Sequence, residues 1–232
     1  MKRPRSAAAR RALALWDDSS RPARIHTTIR AWTAPFEALE AHVPRSGAVL
    51  EVGCGHGLFS TFLALSSRDR RVVGIDIDEK KIKLARTMAS RLDEGEAEVS
   101  FDYVASGDVP VLEGGWDAIV FADVLYLLQP EDRSRLLTEC VKALAPRGVL
   151  IVKEVDTEPK VKARIAQFQE FLATRVLRIT RGDAMDFPSA KELAAQLANA
   201  GLITRSDRLD KGYFHPHCVV IGTRPIANES QV

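Results

Sequence analysis

Val49-Leu50-Glu51-Val52-Gly53-Cys54-Gly55-His56-Gly57 carries an apolar run straight into three glycines at every second position. The run reads as a buried strand. The glycines read as a loop whose backbone turns sharply and approaches a ligand closely, because a Cβ would clash or forbid the needed φ. Leu58 to Leu65 then opens a helix, so the loop amides point at whatever the loop holds. The spacing separates cofactor classes. A dinucleotide fingerprint is G-x-G-x-x-G, whose third glycine would fall at Leu58, whereas Gly57 comes one residue early.

Three downstream segments fit the same architecture. Arg71-Val72-Val73-Gly74-Ile75-Asp76-Ile77-Asp78 reads as a second buried strand with an acidic end, and Trp116-Asp117-Ala118-Ile119-Val120-Phe121-Ala122-Asp123 as another. Leu144-Ala145-Pro146-Arg147-Gly148-Val149-Leu150-Ile151-Val152 turns into one more. Apolar runs alternating with helical patterns are the signature of βαβ units around a parallel sheet. Glu51, Gly53, Gly55 and Gly57 form an E-x-G-x-G-x-G pattern. With the other segments in this order, the chain resembles the class I, Rossmann-like S-adenosylmethionine-dependent methyltransferases over residues 47–153, with the fold reaching to about 224.

The resemblance implies an α/β, doubly wound, seven-stranded sheet in the order 3-2-1-4-5-7-6, mostly parallel with the last strand antiparallel. Strands are expected over 48–53, 71–76, 98–104, 117–122 and 148–154. Helices are expected over 57–66, 78–92, 131–145, 161–178 and 189–200, with Asp78 as an N-cap and Pro146-Arg147-Gly148 ending the fourth. Ile203 to Leu209 and Cys218 to Thr223 read as two more strands, joined too closely for a helix and therefore antiparallel. Residues 1–45 form an N-terminal helical extension or lid, 46–224 the cofactor-binding methyltransferase domain, and 225–232 a tail.

A chain of 232 residues fits one such domain with a modest extension. Its 33 basic and 31 acidic residues leave a net charge of +2, which gives no strong nucleic-acid signal. Cys54, Cys140 and Cys218 lie far apart without C-x-x-C spacing, which argues against zinc or a disulfide framework and suits a reducing cytoplasm. No metal site is expected. No apolar run approaches the ~20 residues that span a bilayer. The basic start, Lys2-Arg3-Pro4-Arg5 and Arg10-Arg11, lacks the apolar core of a secretory signal. It reads as a frayed, solvated terminus, with a membrane-surface or organellar-presequence role as the alternative.

In open α/β sheets, ligands sit outside the carboxyl ends of the parallel strands, which turns strand assignments into a site list. The resemblance places Glu51, Gly53, Cys54, Gly55 and Gly57 at the methionine end of S-adenosylmethionine, Asp76 on both ribose hydroxyls and Ile77 against the adenine. Gly107 and Asp108, or Ser106, approach the adenine amino group, and Asp123 the cofactor's own amine. Cys54 reads as a small filler, and His56 has no assigned task. Arg30, Trp32 and Phe36 are candidate lid contacts, or serve only to pin the extension down.

Methyl transfer from a sulfonium is an in-line displacement, so the protein mainly positions a nucleophile and excludes water. An alcohol, phenol or activated carbon also needs a base, for which Asp123, Glu154 and His215 are the candidates, with His217 beside them. Trp32, Tyr126, Tyr213 and His217 are candidate substrate contacts, although His215 and His217 also read as surface histidines. Ala122-Asp123-Val124-Leu125-Tyr126 departs from the Asn- or Asp-Pro-Pro-aromatic tetrapeptide of enzymes that methylate planar amino groups. The cysteine nucleophile of base carbon-5 methylation and the glutamate-pair loop of protein arginine methyltransferases are also missing. The leading expectation is therefore methylation of a small molecule, with a lean toward a hydrophobic or lipid-like acceptor from the apolar stripe Val161, Ile165, Phe168, Phe171, Leu172 and Val176. RNA or protein methylation, and a non-catalytic cofactor-binding partner protein, are the competing readings.

Overall fold

The apolar run before the glycines is β1 (Gly47–Val52). Parallel neighbours flank it in the computed structural model, which describes residues 2–156, 187–213 and 216–225. These are β2 (Arg70–Asp76), β3 (Glu98–Tyr103), β4 (Trp116–Ala122) and β5 (Leu144–Val155). Two further strands, β6 (Ile203–Arg208) and β7 (His217–Thr223), complete one sheet in the order β3-β2-β1-β4-β5-β7-β6. β7 runs antiparallel to both β5 and β6, as expected from the short connection. β6 is therefore parallel to β5, which brings the turn before β7 to the carboxyl edge of the sheet.

Helices cover both faces. On one lie α1 (Ala7–Ala14), α2 (Arg21–Thr33), α3 (Phe36–Glu40) and α4 (Leu58–Ser66), where Trp16, Leu39, Phe59 and Leu63 pack with Val49, Val120 and Ile151. Val49 faces this side and Leu50 the other, following the two-residue period of a strand. The opposite face holds α6 (Pro130–Ala143) and α7 (Ala190–Asn199), whose Leu137, Cys140, Leu193 and Leu197 meet Leu50, Ile119 and Leu150. With both faces covered, the central strands are apolar throughout rather than alternating. Asp78 caps α5 (Glu79–Ala89) through the amides of Lys80 and Lys81.

Two details differ from the sequence reading. The helix expected to run to 145 stops at Ala143, because Leu144 already pairs with Trp116 across an irregular step in the β4/β5 register. Nor is the basic start frayed. Ser6 caps α1, the Arg5 and Ser6 amides donate to Glu37, and Arg11 grips Glu96 through Nε at 2.7 Å and Nη2 at 2.9 Å. Small Ala9 and Ala12 let α1 dock against the core. Among the described residues no helix is long and apolar enough to cross a membrane. The expected helix over 161–178, with its apolar stripe, lies outside the described residues.

Candidate active site

β1 delivers the chain into a turn of left-handed glycines, with φ +55° at Gly55 and +76° at Gly57. A Cβ on Gly57 would lie 2.4 Å from Phe101 Cε1, whereas one on Gly55 would meet nothing within 4 Å. Packing thus requires Gly57, while Gly55 leaves its side open to a ligand. β2 ends on Asp76, whose Oδ2 accepts from the Gly55 amide at 2.7 Å and whose Oδ1 accepts from the Asp78 amide at 2.8 Å. Each oxygen keeps a lone pair for a further donor. Beside it, Ile77 is 68% exposed, with Gly107 close behind its side chain. Asp108 is exposed, and its amide donates to Ser106 Oγ at 3.4 Å. An open glycine turn, a carboxylate with spare acceptor capacity and an exposed aliphatic side chain suit a ribose and a flat base, the parts of an adenosine.

Deeper in β1, Glu51 is buried and accepts a hydrogen bond from Ser60 on α4. Burial pushes this carboxyl up to about 7, against the Ser60 hydrogen bond and the Arg30 charge. Cys54 is buried and its thiol is pushed up by burial, so it fills space and is no thiolate nucleophile.

The N-terminal helices reach the glycine loop. His56 has the ring of Trp16 at 5.6 Å, edge-on, and that of His26 at 4.8 Å. Burial, then Lys81, lowers His56 to about 4, so its ring is neutral. Arg30 of α2 extends over the Phe36 ring to the end of β4, where Nη1 pairs with Asp123 Oδ2 and Nη2 donates to the Ala122 carbonyl at 2.9 Å.

Asp123 is the hub of a charge cluster. Its backbone takes φ +59°, and its amide donates to the Lys153 carbonyl at 3.0 Å. Lys153 is fully buried, and its Nζ lies 2.5 Å from Asp123 Oδ1. Burial alone would raise Asp123, but Lys153 and Arg30 outweigh it and hold the carboxylate well below its usual range. Glu154, next along β5 and 1% exposed, spends Oε1 on the amides of Val124 at 3.1 Å and Leu125 at 2.8 Å, while Oε2 has no hydrogen-bond partner among the described residues. Burial, reinforced by Asp123, pushes this carboxyl up to about 8. Tyr126 stacks on Phe187 at 4.8 Å, and burial, with Asp123, raises its hydroxyl so that it stays protonated.

His217 opens β7 and is buried, which corrects its reading as a surface histidine. A carbonyl can only accept, so the 3.0 Å contact to Thr33 O fixes the proton on Nε2. Burial, then Lys153, lowers the ring to about 2. Trp32 and Tyr213 stand under the amino-terminal segment. The Arg3 guanidinium lies 5.6 Å from the Trp32 ring centre, and the Lys2 ammonium 5.1 Å from that of Tyr213. His215 lies outside the described residues.

The fold therefore gathers Glu51, the glycines, Asp76, Ile77 and Gly107 along one stretch of the carboxyl edge, and Asp123, Tyr126, Glu154 and His217 along the next. Sequence reasoning missed Lys153, Ser60 and the contact of the N-terminal helices with His56. A lysine following Val149-Leu150-Ile151-Val152, in a strand that must be buried on both faces, was the available signal for the first. Among the described residues no group of three His, Cys, Asp or Glu side chains could hold a metal ion.

Residues 49–148 match the family described as a methyltransferase domain. The ubiquinone biosynthesis O-methyltransferase of Xanthomonas axonopodis pv. citri (strain 306) is 32% identical over 171 residues, covering 72% of this chain and 67% of that protein. Two solved structures share the fold. The S-adenosylmethionine-dependent methyltransferase SibL, in its apo form, superposes with a TM-score of 0.67 at 22% identity, over 88% of this chain and 57% of SibL. Magnesium protoporphyrin IX methyltransferase (ChlM) from Synechocystis PCC 6803, with bound SAH, gives 0.63 at 16% identity over 95% of each chain. Strand order, glycine turn and sequence relationship agree: the chain belongs to the class I S-adenosylmethionine-dependent methyltransferases.

Proposed function

We propose that this enzyme transfers the methyl group of S-adenosylmethionine to an oxygen of a small, hydrophobic or lipid-like acceptor. The observation that carries the reading is Glu154, a buried carboxyl near the end of β5 whose Oε2 has no hydrogen-bond partner among the described residues. A hydroxyl acceptor must lose its proton, and a carboxyl pushed up to about 8 is a far better base for it than an ordinary one. The curated relatives are named for O-methylation in ubiquinone biosynthesis, which supports an oxygen acceptor.

S-adenosylmethionine supplies an electrophilic methyl on a sulfonium; the chain's residues do the rest. Gly55 and its neighbours cradle the methionine end, with Glu51 behind them. Asp76 takes the ribose hydroxyls, Ile77 walls the adenine, and the Gly107-Asp108 segment borders it. Asp123 is held too firmly as an anion to serve as a base, so it anchors the site. Lys153 and Arg30 each pair with one of its oxygens, so both cations are committed to Asp123. Tyr126 and His217 orient the acceptor, and residues 1–45 act as the lid that keeps water out. The setting proposed is the cytoplasm.

Incubation with methyl-labelled S-adenosylmethionine and an extract of the source cells tests this. Label in the organic-soluble fraction supports the reading, and label in the aqueous small-molecule fraction removes its hydrophobic part. Label only in acid-precipitable material moves the assignment to RNA or protein, and binding without transfer to any fraction moves it to a non-catalytic partner.

A further inference from the structure

Of the buried carboxyls at the carboxyl edge, Asp123 and Asp156 sit in ion pairs, whereas Glu51 and Glu154 have none among the described residues, and these two are not equivalent. Glu51 has its hydroxyl donor in Ser60. Glu154 has two amide donors on one oxygen and, among the described residues, none on the other. The two nearby cations are both engaged elsewhere, because Lys153 and Arg30 share Asp123. An ionised Glu154 in this place would be a buried charge without a cation of its own, so the resting site favours the protonated carboxyl.

The ligands differ in charge by one unit. S-adenosylmethionine carries an ammonium, a carboxylate and a sulfonium, for a net charge of +1 by formula. Its demethylated product carries only the first two and is net neutral. We propose that Glu154 is a charge-matched carboxyl, which gives up its proton when the sulfonium cofactor enters and keeps it when the thioether product occupies the same place. This rests on the reading of Glu154 as the base.

The step then balances. An acceptor hydroxyl loses its proton to the Glu154 carboxylate as its oxygen forms the new bond to the methyl carbon. The carbon–sulfur bond breaks with its electron pair going to sulfur. A carboxylate facing a sulfonium becomes a neutral acid facing a neutral thioether. The product complex thus has the protonation of the free enzyme, and the base is armed only while a methyl group is present to be transferred.

Among the described residues, the groups acting on Glu154 are Asp123, Tyr126 and the Val124 and Leu125 amides from the end of β4 and the turn after it, Lys153 from β5, and Cys218 from β7. Asp123 opposes ionisation and Lys153 favours it. Tyr126, Cys218 and His217 are all held neutral, so none supplies the missing charge.

Titration calorimetry with the full-length protein tests this, with S-adenosylmethionine and S-adenosylhomocysteine as ligands in buffers of different ionisation enthalpy. At a pH of about 6.5 an α-amine stays protonated, so the slope against buffer enthalpy counts protons from the protein. The expected result is release of close to one proton with S-adenosylmethionine and close to none with S-adenosylhomocysteine. Glu154→Gln should erase the difference, while Glu51→Gln should keep it. Equal proton counts for the two ligands overturn the proposal, as does loss of the difference in Glu51→Gln alone. If Glu154→Gln does not fold, the wild type still decides. Its affinity for S-adenosylmethionine should rise roughly tenfold per pH unit below pH 7 while that for S-adenosylhomocysteine stays within about twofold, and parallel slopes overturn the proposal. Both ligands binding with equal proton counts removes only this inference, whereas failure of both to bind contradicts the cofactor assignment itself.

Discussion

The two halves of the site are built by different means. The proposed cofactor side is built from backbone: left-handed glycines after β1, and a carboxylate on β2 that accepts from two amides. The proposed acceptor side is built from side chains contributed by residues 30, 123, 153, 154 and 217, which converge only when α2, β4, β5 and β7 are assembled. A backbone site depends on local conformation and tolerates change around it. A buried charge cluster depends on every member at once. Substitutions in the two halves should therefore fail differently.

The largest effect is expected at Lys153. Lys153→Met keeps the apolar stem and removes the ammonium from a fully buried pair. Breaking such a pair by deleting one partner costs about 3–5 kcal/mol, because the remaining charge stays buried. Chemical denaturation should show that loss. A cost of about 1 kcal/mol or less, the range for exposed pairs, would mean Arg30 alone satisfies Asp123 and the cluster is less cooperative than its geometry implies.

Asp76→Ala should act on binding. Losing a carboxylate that holds ligand hydroxyls is expected to weaken S-adenosylmethionine binding by about 1–3 kcal/mol, measured by calorimetry. Unchanged affinity would show that Asp76 serves only its two amides and would erase the contrast drawn above.

The glycines sharpen the same contrast within one loop. Alanine at a left-handed position costs about 1–2 kcal/mol, so Gly55→Ala and Gly57→Ala both lose that much stability. Gly57→Ala also drives a methyl into Phe101, a further loss of about 1–3 kcal/mol. Gly55→Ala meets no protein atom, so beyond that backbone cost its main effect should be weaker cofactor affinity. If Gly55→Ala binds the cofactor normally, the open side of the turn does not face it.

This difference in construction also explains what could be read in advance. The strands themselves, the antiparallel last pair and Asp78 as a cap follow from local patterns: apolar runs, turn lengths and a side chain two residues from the amide it caps; the strand order came with the family resemblance. Asp76 and the glycines were legible for the same reason, since their geometry is set within a short stretch of chain. Arg30 was visible as a lid candidate, but its partner lies 93 residues away, and nothing near either residue announces the pairing. His217 looked like a surface residue because it follows a proline in a turn, whereas the β5/β7 pairing carries it inside. His56 looked idle until α1 and α2 brought two rings against it.

The smallest expected effect concerns pH. Burial pushes Glu154 up to about 8 in the folded chain, from the ordinary carboxyl value of 4.5. The folded state therefore binds a proton that the unfolded chain has lost; its contribution is complete below about 4.5 and disappears as pH rises through about 8. Glu51, pushed up to about 7, behaves in the same way over a shorter span. His217 runs opposite: lowered to about 2 from 6.5, it contributes above 6.5 and that contribution is lost as pH falls. Between 4.5 and 6.5 His217 offsets one of the two carboxyls, but from 7 to 8 only Glu154 among the three still titrates. Wild-type unfolding free energy should fall across that last interval with a slope of on the order of 1 kcal/mol per pH unit. Glu154→Gln should flatten it. A flat wild-type profile would place an ionised Glu154 in the resting site, with Lys153 shared between two carboxylates, and the charge cluster would then resemble the cofactor side in tolerating loss of any one contact.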